Sequence, residues 1–211
     1  MFGIHDLPLF VVSGLLLNIM PGPDSLLIMT RSATQGWRAG VAASLGIGAG
    51  TLVHIFAAAL GLSAVLSTSA TAFTVVKLVG AAYILYMAVG LLRARKTEGT
   101  TAAPELPALP YRKILAQGFL TNVLNPKVAL FFLAFVPQFI SLDAPNKALA
   151  FVILGAIFNF NGMLWCGFLA VSTAKASERL KLNPIVSLWL NRATGGLFVW
   201  LGVKLALSKQ H

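Results

Sequence analysis

Charged side chains are scarce in this chain. Asp, Glu, Lys and Arg make up 10% of its 211 residues, against about 25% in an ordinary soluble domain. A water-facing surface of normal polarity cannot be built from that stock, so a large soluble domain is excluded. Cysteine is scarcer still: Cys166 stands alone, which excludes an intrachain disulfide, a CxxC redox pair and a thiolate metal cage. Three histidines and six acidic residues leave little for a polynuclear metal site. No motif demands a cofactor.

Apolar side chains are abundant instead, at 57% of residues and a mean hydropathy of +0.83. The longest stretch without a charged residue runs from Ala39 to Val76. As one helix it would measure about 57 Å, nearly twice the hydrocarbon core of about 30 Å. It must turn back, and the polar run Ser67-Thr68-Ser69-Ala70-Thr71 is the natural turn. Six spans result, near 7–30, 40–66, 72–92, 114–139, 148–172 and 185–207. The first is read as a span and not a cleaved leader, because it has Asp6 and Pro8 where a signal peptide has a basic region.

The formal net charge of +10 would suggest nucleic acid in a soluble chain. Here ten Lys and Arg fall in the loops after spans one, three and five: Arg31, Arg38, Arg93, Arg95, Lys96, Arg112, Lys113, Lys175, Arg179 and Lys181. The opposite side has Lys147 and Lys209, with Lys204 near a helix end. The positive-inside rule then puts both termini outside the cytoplasm. The charge is a topology signal and the partner is the lipid bilayer, not nucleic acid.

The halves repeat. Residues 1–93 form a first three-helix unit and 114–211 a second, joined by a Pro-rich cytoplasmic linker over 94–113. Together they make a single transmembrane domain. Placing Gly14 on Gly118 aligns GLLLNIMPGPDSLLIM with GFLTNVLNPKVALFFL without a gap, matching Asn18 to Asn122 and the Pro21-Gly22-Pro23 break to Asn125-Pro126. Leu45-Gly46 then matches Leu154-Gly155, and Lys77 and Gly80 match Arg192 and Gly195. With three spans per half, the second unit enters the membrane from the opposite side. The expected fold is an all-α integral membrane protein of six helices, a 3+3 inverted-topology repeat with broken helices 1 and 4, the layout of many secondary transporters.

The breaks point to a site. Proline lacks the N–H that a helix needs, and irregular backbone at membrane depth is tolerated only against protein or water. Pro23 can also open a new half-helix whose N-terminus is positive. Asp24 and Lys127 flank the two breaks, and a charge at mid-span is costly enough to face the interior. They form either a structural ion pair, with Lys127 alternatively reaching toward the surface, or the receptors for a zwitterion. In the second reading Asp24 takes an ammonium, while Lys127 and half-helix N–H groups take a carboxylate. The expected substrate-binding set is Asn18, Pro21, Gly22, Pro23, Asp24, Asn122, Asn125, Pro126 and Lys127. Asp24 and His54 are the candidates for proton coupling, although a lone His in a bundle commonly just hydrogen-bonds. Asn159 and Asn161 suit interhelical hydrogen bonds. Gly36, Gly40, Ser44 and Gly48, with Gly46 and Gly50, suit close helix packing. Cys166 and the phenylalanines of the fourth span are expected to face lipid or core.

PGPD at 21–24, followed by Ser32, Gly36, Gly40, Gly46 and Gly50, resembles the opening of the LysE/RhtB family of amino-acid exporters. GAAYILYMAVG at 80–90, NPKVALFFLAFVPQF at 125–139 and GGLFVWLGVKLA at 195–206 are similar to its later blocks, in order. The linker and the loop near 175–190 match poorly. The resemblance implies a prokaryotic inner-membrane permease, not an enzyme, that exports amino acids in exchange for protons. Family members for basic amino acids carry an acidic residue after the asparagine-proline pair. Phe131 stands at that position here, which points to neutral substrates of the threonine, homoserine or leucine kind. A homodimer is compatible with this reading.

Rival classes fare worse. A divalent metal exporter of a related family is the alternative, but it needs several carboxylate, His or thiolate ligands at depth, and Asp24 with His54 are few. A thiol-disulfide carrier needs a second cysteine, and an intramembrane protease needs a GxSG or GxGD sequence that the chain lacks. A purely structural subunit would move no solute.

Overall fold

The computed structural model describes residues 2–62, 108–141 and 143–176, together with scattered positions within 74–93 and 192–203. Among the described residues every regular element is helical. The chain is an all-α membrane bundle whose first and fourth spans are broken. Helix α1 (Leu7–Ile19) and helix α2 (Pro23–Gln35) meet at a 52° bend, and α4 (Tyr111–Val123) and the segment from Pro126 to Phe139 meet at 45°. That segment starts as α5 (Pro126–Leu130) and continues through one π turn and one 3-10 turn. Two unbroken helices complete the described core: α3 (Trp37–Ala57), extended by a π turn to Leu62, and α6 (Lys147–Ala176).

The bends sit where sequence chemistry puts them. Pro21 and Pro23 end one helix and open the next, and Pro126 does the same in the second half. The expected third and sixth spans fall where only scattered positions are described, all of them helical. The Ser67–Thr71 turn, most of the 94–113 linker and the loop near 175–190 lie mainly outside the described residues. Helix α4 starts at Tyr111, three residues before the expected boundary.

End contacts fix the directions of the spans. At one end Ile4 bridges Ile140, and the Ser141 N–H donates to the Gly3 carbonyl at 2.8 Å. At the other end the Gln35 side chain bonds the backbone of Leu109 in both directions, at 3.0 and 3.1 Å. Spans one and four therefore run oppositely, as do α3 and α6, which is the sense an inverted repeat requires.

Glycine sets the packing of α3. A side chain at Gly46 would strike the Leu115 carbonyl, and one at Gly118 would strike the Ala43 carbonyl. Helices α3 and α4 thus touch backbone to backbone across the two halves. On another face Gly40 lies against Ser32 and Ala170, and Gly48 against Met163. Gly36 does not pack in this way: it has φ +80° and forms the turn between α2 and α3, where a residue with a Cβ would be strained.

One expectation needs correction. Arg31 is not a loop residue; it lies in α2, 3% exposed, and donates to Gln35 at 3.2 Å and Gln117 at 3.0 Å. Span one runs a further turn past its expected end, because Ser32, Ala33 and Thr34 are neutral enough to stay helical. Of the two places expected for the phenylalanines of span four, lipid or core, they take the core. Phe131, Phe132, Phe135 and Phe139 are buried with Phe10, Phe151 and Phe158 near the Ile4–Ile140 end, and the Phe131 and Phe158 rings stack at 4.5 Å.

Gly46→Leu and Gly118→Leu should each cost about 1–3 kcal/mol or more by overpacking, read as a lower melting temperature in detergent. Gly167, with open space around its absent side chain, should tolerate alanine with no such shift.

Candidate functional site

Each break leaves a carbonyl without its usual partner. In an α-helix the N–H of residue i+4 bonds the carbonyl of residue i. Pro21 therefore withholds the N–H due to Leu17, and Pro126 withholds the one due to Asn122. Both carbonyls are supplied from the opposite repeat. Lys127 Nζ donates to the Leu17 carbonyl at 3.1 Å and to the Met20 carbonyl at 3.2 Å. His54 Nε2 lies 3.0 Å from the Asn122 carbonyl, which also accepts from the Asn125 N–H at 2.9 Å. A carbonyl only accepts, so His54 Nε2 carries the hydrogen and Nδ1 is the nitrogen left to take a further proton. The imidazole also stacks on Phe132, with centroids 6.2 Å apart.

Asp24 occupies the first turn of α2. Its Oδ2 accepts from Asn122 Nδ2 at 2.9 Å and from Asn125 Nδ2 at 3.1 Å. Both asparagines are held in turn. Asn125 Oδ1 caps α5 by accepting from the Lys127 N–H at 3.0 Å. Asn122 Oδ1 lies 3.3 Å from the Thr51 hydroxyl, whose single hydrogen is shared with the Ile47 carbonyl. Asn122 and Asn125 are 1% and 2% exposed, so neither amide can turn to water. The second oxygen of Asp24, Oδ1, is buried and has no hydrogen-bond partner. Asp24 and Lys127 are not an ion pair, since each is bonded elsewhere.

Both charges line one cavity. Its polar wall is Asn18, Asp24, Ser25, Thr51, Asn122, Lys127 and Asn159; its apolar wall is Leu17, Ile47, Val128, Phe158 and Met163, with Gly48, Gly162 and Cys166. The space open to the centre of a water-sized sphere is about 30 Å³, enough for about two waters. An amino acid enters only if the walls part.

Of the expected site residues, Asn18, Asp24, Asn122 and Lys127 line this cavity. Pro21, Gly22, Pro23, Asn125 and Pro126 shape the breaks behind it, and His54 stands behind Asn122 outside the lining. Asn18 Nδ2 reaches the Phe158 carbonyl at 3.5 Å and Asn159 Nδ2 the Gly48 carbonyl at 3.4 Å, so both also tie helices together. Cys166 is half-buried, packed against the core cluster around Ile28 and Ile114 and lining the cavity wall. Ser25, Thr51 and Met163 were missed. Only the helical spacing of Ile47, Thr51 and His54, which puts them along one side of α3, could have pointed to Thr51. No group of three or more His, Cys, Asp or Glu side chains converges among the described residues.

A family model described as LysE type translocator matches residues 15–209. An uncharacterized membrane protein of Pseudomonas aeruginosa is 32% identical, the match covering 98% of this chain and 97% of that protein. An uncharacterized membrane protein of Bacillus subtilis is 31% identical over 97% of this chain and 100% of its own length. A leucine efflux protein of Salmonella typhimurium is 27% identical over 97% of this chain and 96% of its own. No solved structure matches.

Pro126→Ala restores an N–H opposite the Asn122 carbonyl. His54→Leu leaves the Asn122 carbonyl with the Asn125 N–H as its remaining donor and should destabilise the wild type by about 0.5–1.5 kcal/mol, the net worth of one hydrogen bond. It should cost clearly less in the Pro126→Ala background, as read by a double-mutant cycle of unfolding in detergent.

Proposed function

The chain belongs to the LysE/RhtB family of amino-acid efflux transporters, and from that premise we propose that it exports neutral, leucine-like amino acids in exchange for protons. As a member it is a multi-pass membrane transporter and not an enzyme. The observation that carries the finer reading is the second oxygen of Asp24, buried without a partner on the wall of the cavity between the two breaks. A buried acceptor of this kind is costly unless a donor arrives. A primary ammonium is a donor that fits, and with one carboxylate oxygen already held by two amides it would meet a fixed target.

The other end of a zwitterion is served by the N-terminus of α2, which no side chain caps, and by the third N–H of Lys127. A second ammonium on the substrate would find Phe158 and, stacked behind it, the buried Phe131, which disfavours basic amino acids. The apolar wall suits an aliphatic side chain. The likeness to leucine efflux proteins agrees, and threonine and homoserine are the polar members of the same size class.

Proton exchange follows from competition for one oxygen. With no substrate present, Asp24 Oδ1 is a proton acceptor; an arriving ammonium displaces the proton. A zwitterion carries no net charge, so the membrane potential alone cannot expel it, whereas one entering proton contributes about 2.3 kcal/mol per 100 mV. His54, with Nδ1 as its protonatable nitrogen, is the second proton-carrying candidate. The end bearing Arg38, Arg112, Lys113 and Lys175 belongs in the cytoplasm under the positive-inside rule, which puts both termini outside a bacterial inner membrane.

Cells fed leucine-containing dipeptides should release leucine faster when they express the wild type. Asp24→Asn at equal membrane abundance should lower that release about tenfold or more, the loss of one charge-assisted contact. A protonophore should slow the wild type. Full release by Asp24→Asn would contradict the role given to this carboxylate.

A further inference from the structure

Lys127 makes contacts that substrate binding does not call for. Its Nζ bonds the carbonyls of Leu17 and Met20 at the C-terminal end of α1. That end concentrates negative potential, because helix dipoles and partnerless carbonyls add there. Gly22 keeps the position open, since a Cβ on it would lie 3.2 Å from Nζ. In transporters with discontinuous helices, unwound carbonyls and half-helix C-termini are where the coupling cation is coordinated. In this chain an ammonium from the opposite repeat sits there, and the Asp24 carboxylate shares its cavity without pairing with it.

We propose that Lys127 is a tethered cation filling a monovalent-cation position at the end of the broken first helix. Export accordingly draws on no sodium. Removing the side-chain charge uncovers a site that takes a small free cation, a primary ammonium foremost because it repeats the N–H donors of Nζ. The inference concerns the same cavity as the function proposed above but does not depend on which amino acid is carried.

The test uses the full chain in detergent. Lys127→Ala is melted in methylammonium, sodium or choline chloride at equal ionic strength, beside the wild type. Methylammonium should raise the melting temperature of the variant by about 3–6 °C, the shift for a roughly tenfold excess over Kd in a chain of this size. Sodium should raise it less, choline not at all, and the wild type, in which Lys127 already fills the position, should gain clearly less in methylammonium than the variant does. Equal responses of variant and wild type, or no response by either, would overturn the proposal. Lys127→Met, which keeps the apolar stem, is the second variant. If neither accumulates in membranes of cells grown with or without methylammonium, the position cannot be refilled and the proposal fails. A sodium requirement for leucine release by the wild type would overturn it as well. Absence of leucine release by the wild type would instead sink the substrate reading and leave the melting shift standing.

Discussion

A carbonyl oxygen that loses its helical partner inside hydrocarbon costs several kcal/mol, and much of this structure answers to that constraint. Pro21 and Pro126 each create one such oxygen, at Leu17 and Asn122. Each draws a donor from the other half, although the Asn122 carbonyl also accepts from the Asn125 N–H of its own span. Lys127 crosses from the second repeat to the end of α1, and His54 crosses from the first repeat to the end of α4. The two halves are stitched together at the points where each is broken. The groups that settle the breaks also border or back the cavity, so one set of polar side chains serves stability and recognition.

That economy carries over to motion. Helices α3 and α4 meet through glycines at backbone distance, a contact that admits little change short of separation. The bends of 52° and 45° are held by side-chain hydrogen bonds at 2.9–3.2 Å, which can exchange partners. A ligand that offers Asp24 a donor, or competes with the ammonium of Lys127, changes the balance at a break and not in the packed pair. The phenylalanine cluster lies toward one end of the bundle and the Arg31–Gln35–Gln117 cluster toward the other, so the two ends are held by different contacts.

Much of this was legible in the sequence because hydrocarbon punishes exceptions. Prolines, a carboxylate and an ammonium inside apolar runs are expensive, so Pro21, Pro23, Asp24, Pro126 and Lys127 announce themselves. The gapless match around Gly14 and Gly118 gave the repeat, and the structure's opposed spans agree with it. What the sequence could not supply was partnership. Whether Asp24 and Lys127 pair depends on where two distant amides, Asn122 and Asn125, happen to reach. Arg31 reads as a loop charge until Gln117 is seen beside it. The cavity wall of Thr51, Phe158 and Met163 stayed hidden because helices apolar on every side do not declare which face turns inward.

Cys166, the single cysteine of the chain, lines the cavity and makes the central claim directly measurable. The rate of its alkylation by N-ethylmaleimide in membranes can be followed with and without leucine. An occupied cavity between the breaks predicts that leucine slows the reaction in the wild type and leaves it unchanged in Asp24→Asn. Alkylation of the wild type at one rate whatever neutral amino acid is added, in membranes that still export leucine, would show that the substrate binds elsewhere.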